Sequence, residues 1–176
     1  MSGVIKTRQG EDSNDLSGNA QLPERPGGVL AGGIRITGRV KEPLFLSIEE
    51  LCGMETEEAE DIALNCGEGT PVGKIQSCRG VLLENVIGRA AVLKEDHNDT
   101  KKMFLVASAP DGYKAVFSWQ EIFNTPIGGG VMVLVEKNGK PLSAGTGGLE
   151  LISLQDFFSG PRYVRSLETI EVLMVG

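Results

Sequence analysis

Glycine and other turn-forming residues cut this chain into short apolar runs, and that limits what it can fold into. Of 176 residues, 24 are Gly, about twice the usual share. A short apolar run bounded by turn signals is long enough for one strand and too short for a long helix. IRITGRV alternates apolar and polar residues as a half-buried strand does, MFLVA, YKAVF and IEVLMV read as further strands, and VMVLVE reads as a buried one. Helices are few. Ser47 with Glu50 and Ser118 with Glu121 each form a capping box, which predicts short helices over residues 48–54 and 118–123. A third helix is predicted over ENVIGRAAVL, where Leu83, Val86, Ile87 and Ala90 fall at helical spacing and suit core packing. Short strands mixed with three short helices predict an α+β domain, mostly β, and not a doubly wound one.

The connections carry equally local signals. Residues 1–33 are polar and rich in Gly, Ser, Asn, Asp and Pro, so they read as a disordered or extended arm before a domain of residues 34–176. The acidic stretch 55–61 reads as a solvated connection. Residues 62–65 form a strand that delivers Cys66 into a loop of small residues, and residues 74–78 are extended beyond it. Pro110-Asp111-Gly112 is turn chemistry, Asn138-Gly139 is the clearest hairpin signal, and residues 145–148 form a second small-residue loop.

Several function classes are disfavoured. A net charge of −7 with no basic stripe argues against nucleic acid as a partner. Three cysteines without CxxC spacing make neither a disulfide framework nor a zinc pattern. The single histidine, His97, sits in a solvated turn, which disfavours a histidine-based triad. No run reaches the length of a membrane span, and no apolar leader core is visible in the first thirty residues. The chain therefore reads as cytoplasmic as it stands, or periplasmic if a leader has been removed.

Cys66 is the leading candidate for chemistry. A thiol at the end of a strand, followed by Gly67, Gly69, Thr70, Pro71 and Gly73, could meet a soft metal or a reactive cofactor. Taken alone, it reads first as a buried free cysteine before a flexible turn.

Five segments, in order, resemble the molybdopterin-binding domain of the sulfite oxidase family. IRITGRVKEPLFLSIEEL is similar to its opening "G-x-V", Pro, "L-S-x-x-x-L". CRGVLLENVI is similar to its "W-x-G-V-P-L-x-x-L-L", with Cys78 near the tryptophan place. SAPDGYKAVFSWQE resembles its "D-G-Y" hairpin, and VMVLVEKNGKPL its "L-L-A-Y-x-x-N-G-x-P-L". GPRYVRSLETIEV resembles its closing "G-x-R-x-V-K-W-L-x-x-I-x-V". The resemblance spans residues 34–172. It implies a sulfite-oxidase-type fold and a molybdopterin cofactor with molybdenum, the metal bound by the thiolate of Cys66. It also implies Tyr113 at the substrate pocket, with Arg162 and Arg165 holding the anionic pterin phosphate. The activity implied is oxygen-atom or two-electron transfer on a small oxyanion or sulfoxide, with a separate electron-transfer partner.

One segment departs from the pattern. The family's "H-G-x-P-x-R", whose His and Arg help grip the pterin, corresponds here to GTGGLELIS, with Gly147, Glu150 or Ile152 in their places. Two readings follow. One is a minimal molybdopterin oxidoreductase. The other is a cofactor-less binding module on the same fold, recognising a small anion or a protein partner.

Overall fold

The computed structural model describes residues 32–176. Two sheets enclose one apolar core. The first contains β1 (Gly33–Gly38), β2 (Leu44–Ser47), β5 (Met103–Ser108), β6 (Lys114–Ser118) and β11 (Thr169–Met174), in the order β2-β1-β11-β5-β6. It is mixed: β1 runs parallel to β11, and its other pairs are antiparallel. The second contains β3 (Glu57–Asn65), β4 (Pro71–Leu82), β7 (Val131–Lys137), β9 (Leu149–Ser153) and β10 (Val164–Leu167), in the order β10-β9-β7-β4-β3, with the short β8 (Lys140–Pro141) beside β7. Helices α1 (Ile48–Cys52), α2 (Leu83–Gly88) and α3 (Trp119–Asn124) close the gaps. This is the sheet-rich α+β arrangement that the short runs predict.

The strongest local signals are the ones realised most fully. Both capping boxes form: Glu50 N–H donates to Ser47 Oγ at 3.2 Å, and Glu121 N–H donates to Ser118 Oγ at 3.1 Å. Each satisfies an otherwise orphaned donor of its helix start. Asn138-Gly139 makes the β7–β8 hairpin, and Asn138 Oδ1 also accepts the N–H of Gln76 at 2.8 Å, which ties the turn to β4. Leu83, Val86 and Ile87 of α2 are buried as expected. Trp119 is a packing residue, stacked on Phe123 at 4.1 Å.

Several boundaries differ from expectation: α1 stops at Cys52, short of residue 54, and the extended piece at 74–78 is part of the longer β4. Gly33, assigned to the arm, opens β1; the rest of the arm except Gly32 lies outside the described residues. The acidic stretch 55–61 is largely β3, an edge strand with exposed Glu57, Glu58, Glu60 and Asp61. Helix α2 ends at Gly88, because the chain turns there and Val92 bridges to Val40.

The segment between β9 and β10 positions the site. Ser159 Oγ donates to the Ala63 carbonyl of β3 at 2.9 Å. Gly160 packs so closely that a Cβ there would lie 2.3 Å from the Asn65 carbonyl oxygen. Only a residue without a side chain tolerates that approach. Gly160→Ala is expected to cost about 1–3 kcal/mol, read as a lowered urea midpoint at unchanged m-value.

Candidate functional site

Three connections meet at one end of the molecule: the β3–β4 turn carrying Cys66, the β5–β6 turn carrying Asp111 and Tyr113, and the segment 157–163. Together with the start of β10 they form a cleft of about 240 Å³ lined by Leu64, Val72, Asp111, Tyr113, Gly160, Tyr163 and Arg165. Of the four residues singled out from the sequence, Tyr113 and Arg165 line this cleft. Cys66 lies just outside it, its Cα 3.5 Å from where a Cβ on Gly160 would be. Arg162 is engaged elsewhere.

Cys66 ends β3 in a tight turn. Its N–H donates to the Thr70 carbonyl, and Gly69 N–H donates back to the Cys66 carbonyl, both at 2.9 Å. The N–H of Glu68, then the hydroxyl and N–H of Thr70, hold its thiol below the ordinary range. These donors favour the thiolate over the thiol. Cys78, by contrast, is 4% exposed within β4, and burial pushes its thiol up, so it is a core residue.

Tyr113 is held at both ends. Its N–H donates to Asp111 Oδ1 at 2.9 Å, and its hydroxyl donates to the Pro161 carbonyl at 2.8 Å. The phenol proton is therefore committed to the backbone of the segment it faces.

Arg162 sits between two carboxylates. Its Nε and Nη2 donate to Asp156, at 2.8 and 2.5 Å, and its Nη1 donates to Glu121 Oε1 at 2.9 Å and to the Val116 carbonyl at 3.4 Å. The guanidinium also lies 4.4 Å from the Phe117 ring centroid. Burial would push Asp156 and Glu121 up. The hydrogen bonds from Arg162, joined at Glu121 by the Ser118 N–H, outweigh it and hold both below their ordinary values. The family resemblance implies Arg162 on the pterin phosphate; here its Nε, Nη1 and Nη2 all donate to partners within the protein.

A second polar cluster went unnoticed in the sequence. Glu150, 6% exposed, accepts from Lys137 Nζ at 2.5 Å and from the Tyr163 hydroxyl, and Lys137 also reaches that hydroxyl at 3.2 Å. Burial, then Glu150, push the Tyr163 phenol up, so it stays protonated as a donor. Its ring carries Arg165, whose guanidinium carbon lies 5.3 Å from the centroid. Among the described residues Arg165 has no carboxylate within ion-pair distance. The signal available in the sequence was Glu150 itself, an acid inside an apolar run.

A larger cavity, about 280 Å³, lies across the turn at residues 110–112 and shares Asp111 with the cleft. Ile48, Pro110, Gly147, Leu149 and Leu167 line it, together with Glu168. It adjoins the GTGGLELIS segment, and its two ionisable side chains are both carboxylates.

The sequence matches no established family profile and no characterised protein. In fold it is similar to a solved structure, the sulfane dehydrogenase SoxCD from Paracoccus pantotrophus, with a TM-score of 0.57 and 16% identity over 80% of this chain. The match takes in 38% of that chain, so this protein spans well under half its length. At this identity the likeness is one of fold.

Cys66 has the electron-rich sulfur that molybdenum would take. The phosphate of molybdopterin fits poorly. The donors of Arg162 are consumed, Glu150 is held by Lys137 and Tyr163, and the cavity beside GTGGLELIS presents Asp111 and Glu168. Carboxylates repel a phosphate, and of the two arginines in the closing segment Arg165 is the one left to meet it. The donor set suits a thiolate ligand and does not suit the whole cofactor. Among the described residues no helix is long and apolar enough to cross a membrane.

The ion-pair knot makes a pH prediction. Asp156 and Glu121 have lower pKa values folded than their ordinary 3.8 and 4.5. Their contribution is therefore complete above the ordinary values and is lost as pH falls below them through the folded ones. Asp156→Asn should lower stability at pH 7 by about 1–3 kcal/mol and flatten the fall of stability below about pH 4.5, measured by urea unfolding from pH 7 to pH 3.

Proposed function

We propose that this protein is a binding module on a sulfite-oxidase-type fold, taking a small anion in the cleft formed by Tyr113, Tyr163 and Arg165. The observation that carries this reading is the contrast between the two arginines of the closing segment. Arg162 is neutralised by Asp156 and Glu121, while Arg165 lines the cleft without a carboxylate partner among the described residues. A guanidinium beside low-dielectric walls is a fork-shaped receptor for a carboxylate or oxyanion. The Tyr163 ring beneath it restricts where the fork can swing.

In this reading Cys66 is a residue of the turn beside Gly160, its Cα 3.5 Å from where a Cβ on that glycine would lie. Arg165→Met should weaken binding of a small carboxylate or oxyanion, such as acetate or sulfate, at least tenfold in calorimetric titration. An exposed side chain is being changed, so folding should not suffer. Equal affinity in the variant would rule out Arg165 as the receptor.

A second reading is supported by the thiol. The depressed Cys66, partly exposed at the end of a strand, is what a molybdenum-dependent oxidoreductase of sulfite oxidase type would need. It would act on a small oxyanion or sulfoxide and would draw on a separate electron-transfer partner. The likeness of fold to a sulfane dehydrogenase is compatible with it. Protein produced in a host that makes the cofactor separates the two readings. The binding-module reading expects neither molybdenum nor pterin fluorescence. Near-stoichiometric amounts of both, lost in a folded Cys66→Ser variant, would establish the oxidoreductase instead.

A further inference from the structure

We infer that the natural ligand of the cleft is an organic monoanion with an apolar, ring-sized body, such as an aromatic carboxylate, and not an inorganic oxyanion. The inference rests on the anion-binding reading and deepens it. Three observations on the same seven-residue cleft carry it.

The first is a shortage of donors. Two phenols line the cleft, but the Tyr113 hydroxyl donates to the Pro161 carbonyl and the Tyr163 hydroxyl donates to Glu150. Both protons are spent. Arg165 is left to supply the hydrogen bonds from side chains. Two parallel bonds from one guanidinium satisfy a carboxylate. A sulfate or phosphate presents more oxygens than one fork can serve, and those left over would lose water without replacement.

The second is the nature of the walls. Leu64 and Val72 come from the β3–β4 hairpin, Tyr113 from the β5–β6 turn and Tyr163 from just before β10. These surfaces return nothing to a fully polar ion but favour an apolar or aromatic body. The volume, about 240 Å³, lies just below the range of roughly 300–1,000 Å³ that holds drug-sized ligands. It suits a single ring.

The third is the sign of the remaining charge. Asp111 lines the same cleft as Arg165. Its carboxylate opposes a second negative charge on the ligand and so favours a monoanion.

The test is calorimetric titration of the whole chain with phenylacetate, acetate and sulfate at constant ionic strength. Phenylacetate should bind at least tenfold more tightly than either small ion, since burying a ring is worth that ratio or more. Its binding should show a negative heat-capacity change and should weaken at least tenfold in Arg165→Met. Val72→Ser, a neutral change at the exposed start of β4 where the side chain is 59% accessible, should weaken phenylacetate more than acetate. If acetate or sulfate binds through Arg165 as tightly as phenylacetate, the inference falls and the anion reading stands. If none of the three binds, both fall. If phenylacetate binds equally to wild type and to Arg165→Met, contact with Arg165 is not what holds it, and the inference is overturned.

Discussion

The candidate site depends on Arg162 and the two carboxylates that hold it. This side chain joins three parts of the chain that are distant in sequence: the segment after β9 through Asp156, the start of α3 through Glu121, and the edge strand β6 through the Val116 carbonyl. A paired, hydrogen-bonded and part-buried charge of this kind costs about 1–3 kcal/mol to break from one side. With Arg162 fixed, the 3-10 turn Gly160–Arg162 lies against β3, the Pro161 carbonyl meets the Tyr113 hydroxyl, and Arg165 follows on the next strand. The cleft is a consequence of that anchoring.

Much of the fold was legible because its signals are local. A capping box, an Asn-Gly turn and an apolar run each involve neighbouring residues, and each formed where the sequence predicted it. What misled was context. The acidic stretch 55–61 lacks the alternation of a half-buried strand because β3 is an edge, and edge strands take charge on both faces to discourage pairing with other chains. The pattern of α2 ran on past Gly88 because apolar residues follow it, yet Val92 belongs to a bridge with Val40.

The site was less legible, for a different reason. Cys66, Tyr113 and Arg165 do gather at one end of the molecule. The same inspection gave Arg162 an equal role, because a sequence shows a charge and not what neutralises it. Asp156 is six residues from Arg162 and Glu121 is forty-one, and nothing in the spacing announces either pairing. The pair formed by Glu150 and Lys137 was hidden similarly, across two strands whose adjacency only the sheet order reveals. Together these pairings change the meaning of the closing segment. A region that resembles a phosphate grip has turned most of its charge inward.

Glu121 carries two duties with its two oxygens. One accepts the N–H of Ser118 and completes the cap of α3, and the other accepts from Arg162. Helix start and site anchor are thus not independent quantities. Changes at Ser118 and Arg162, on different elements, act on one carboxylate, so their effects on stability will not sum. The chain has less freedom to drift here than two separate contacts would allow: a substitution that tunes the anchor also retunes the helix, and positions 118, 121, 156 and 162 are constrained to change as a set.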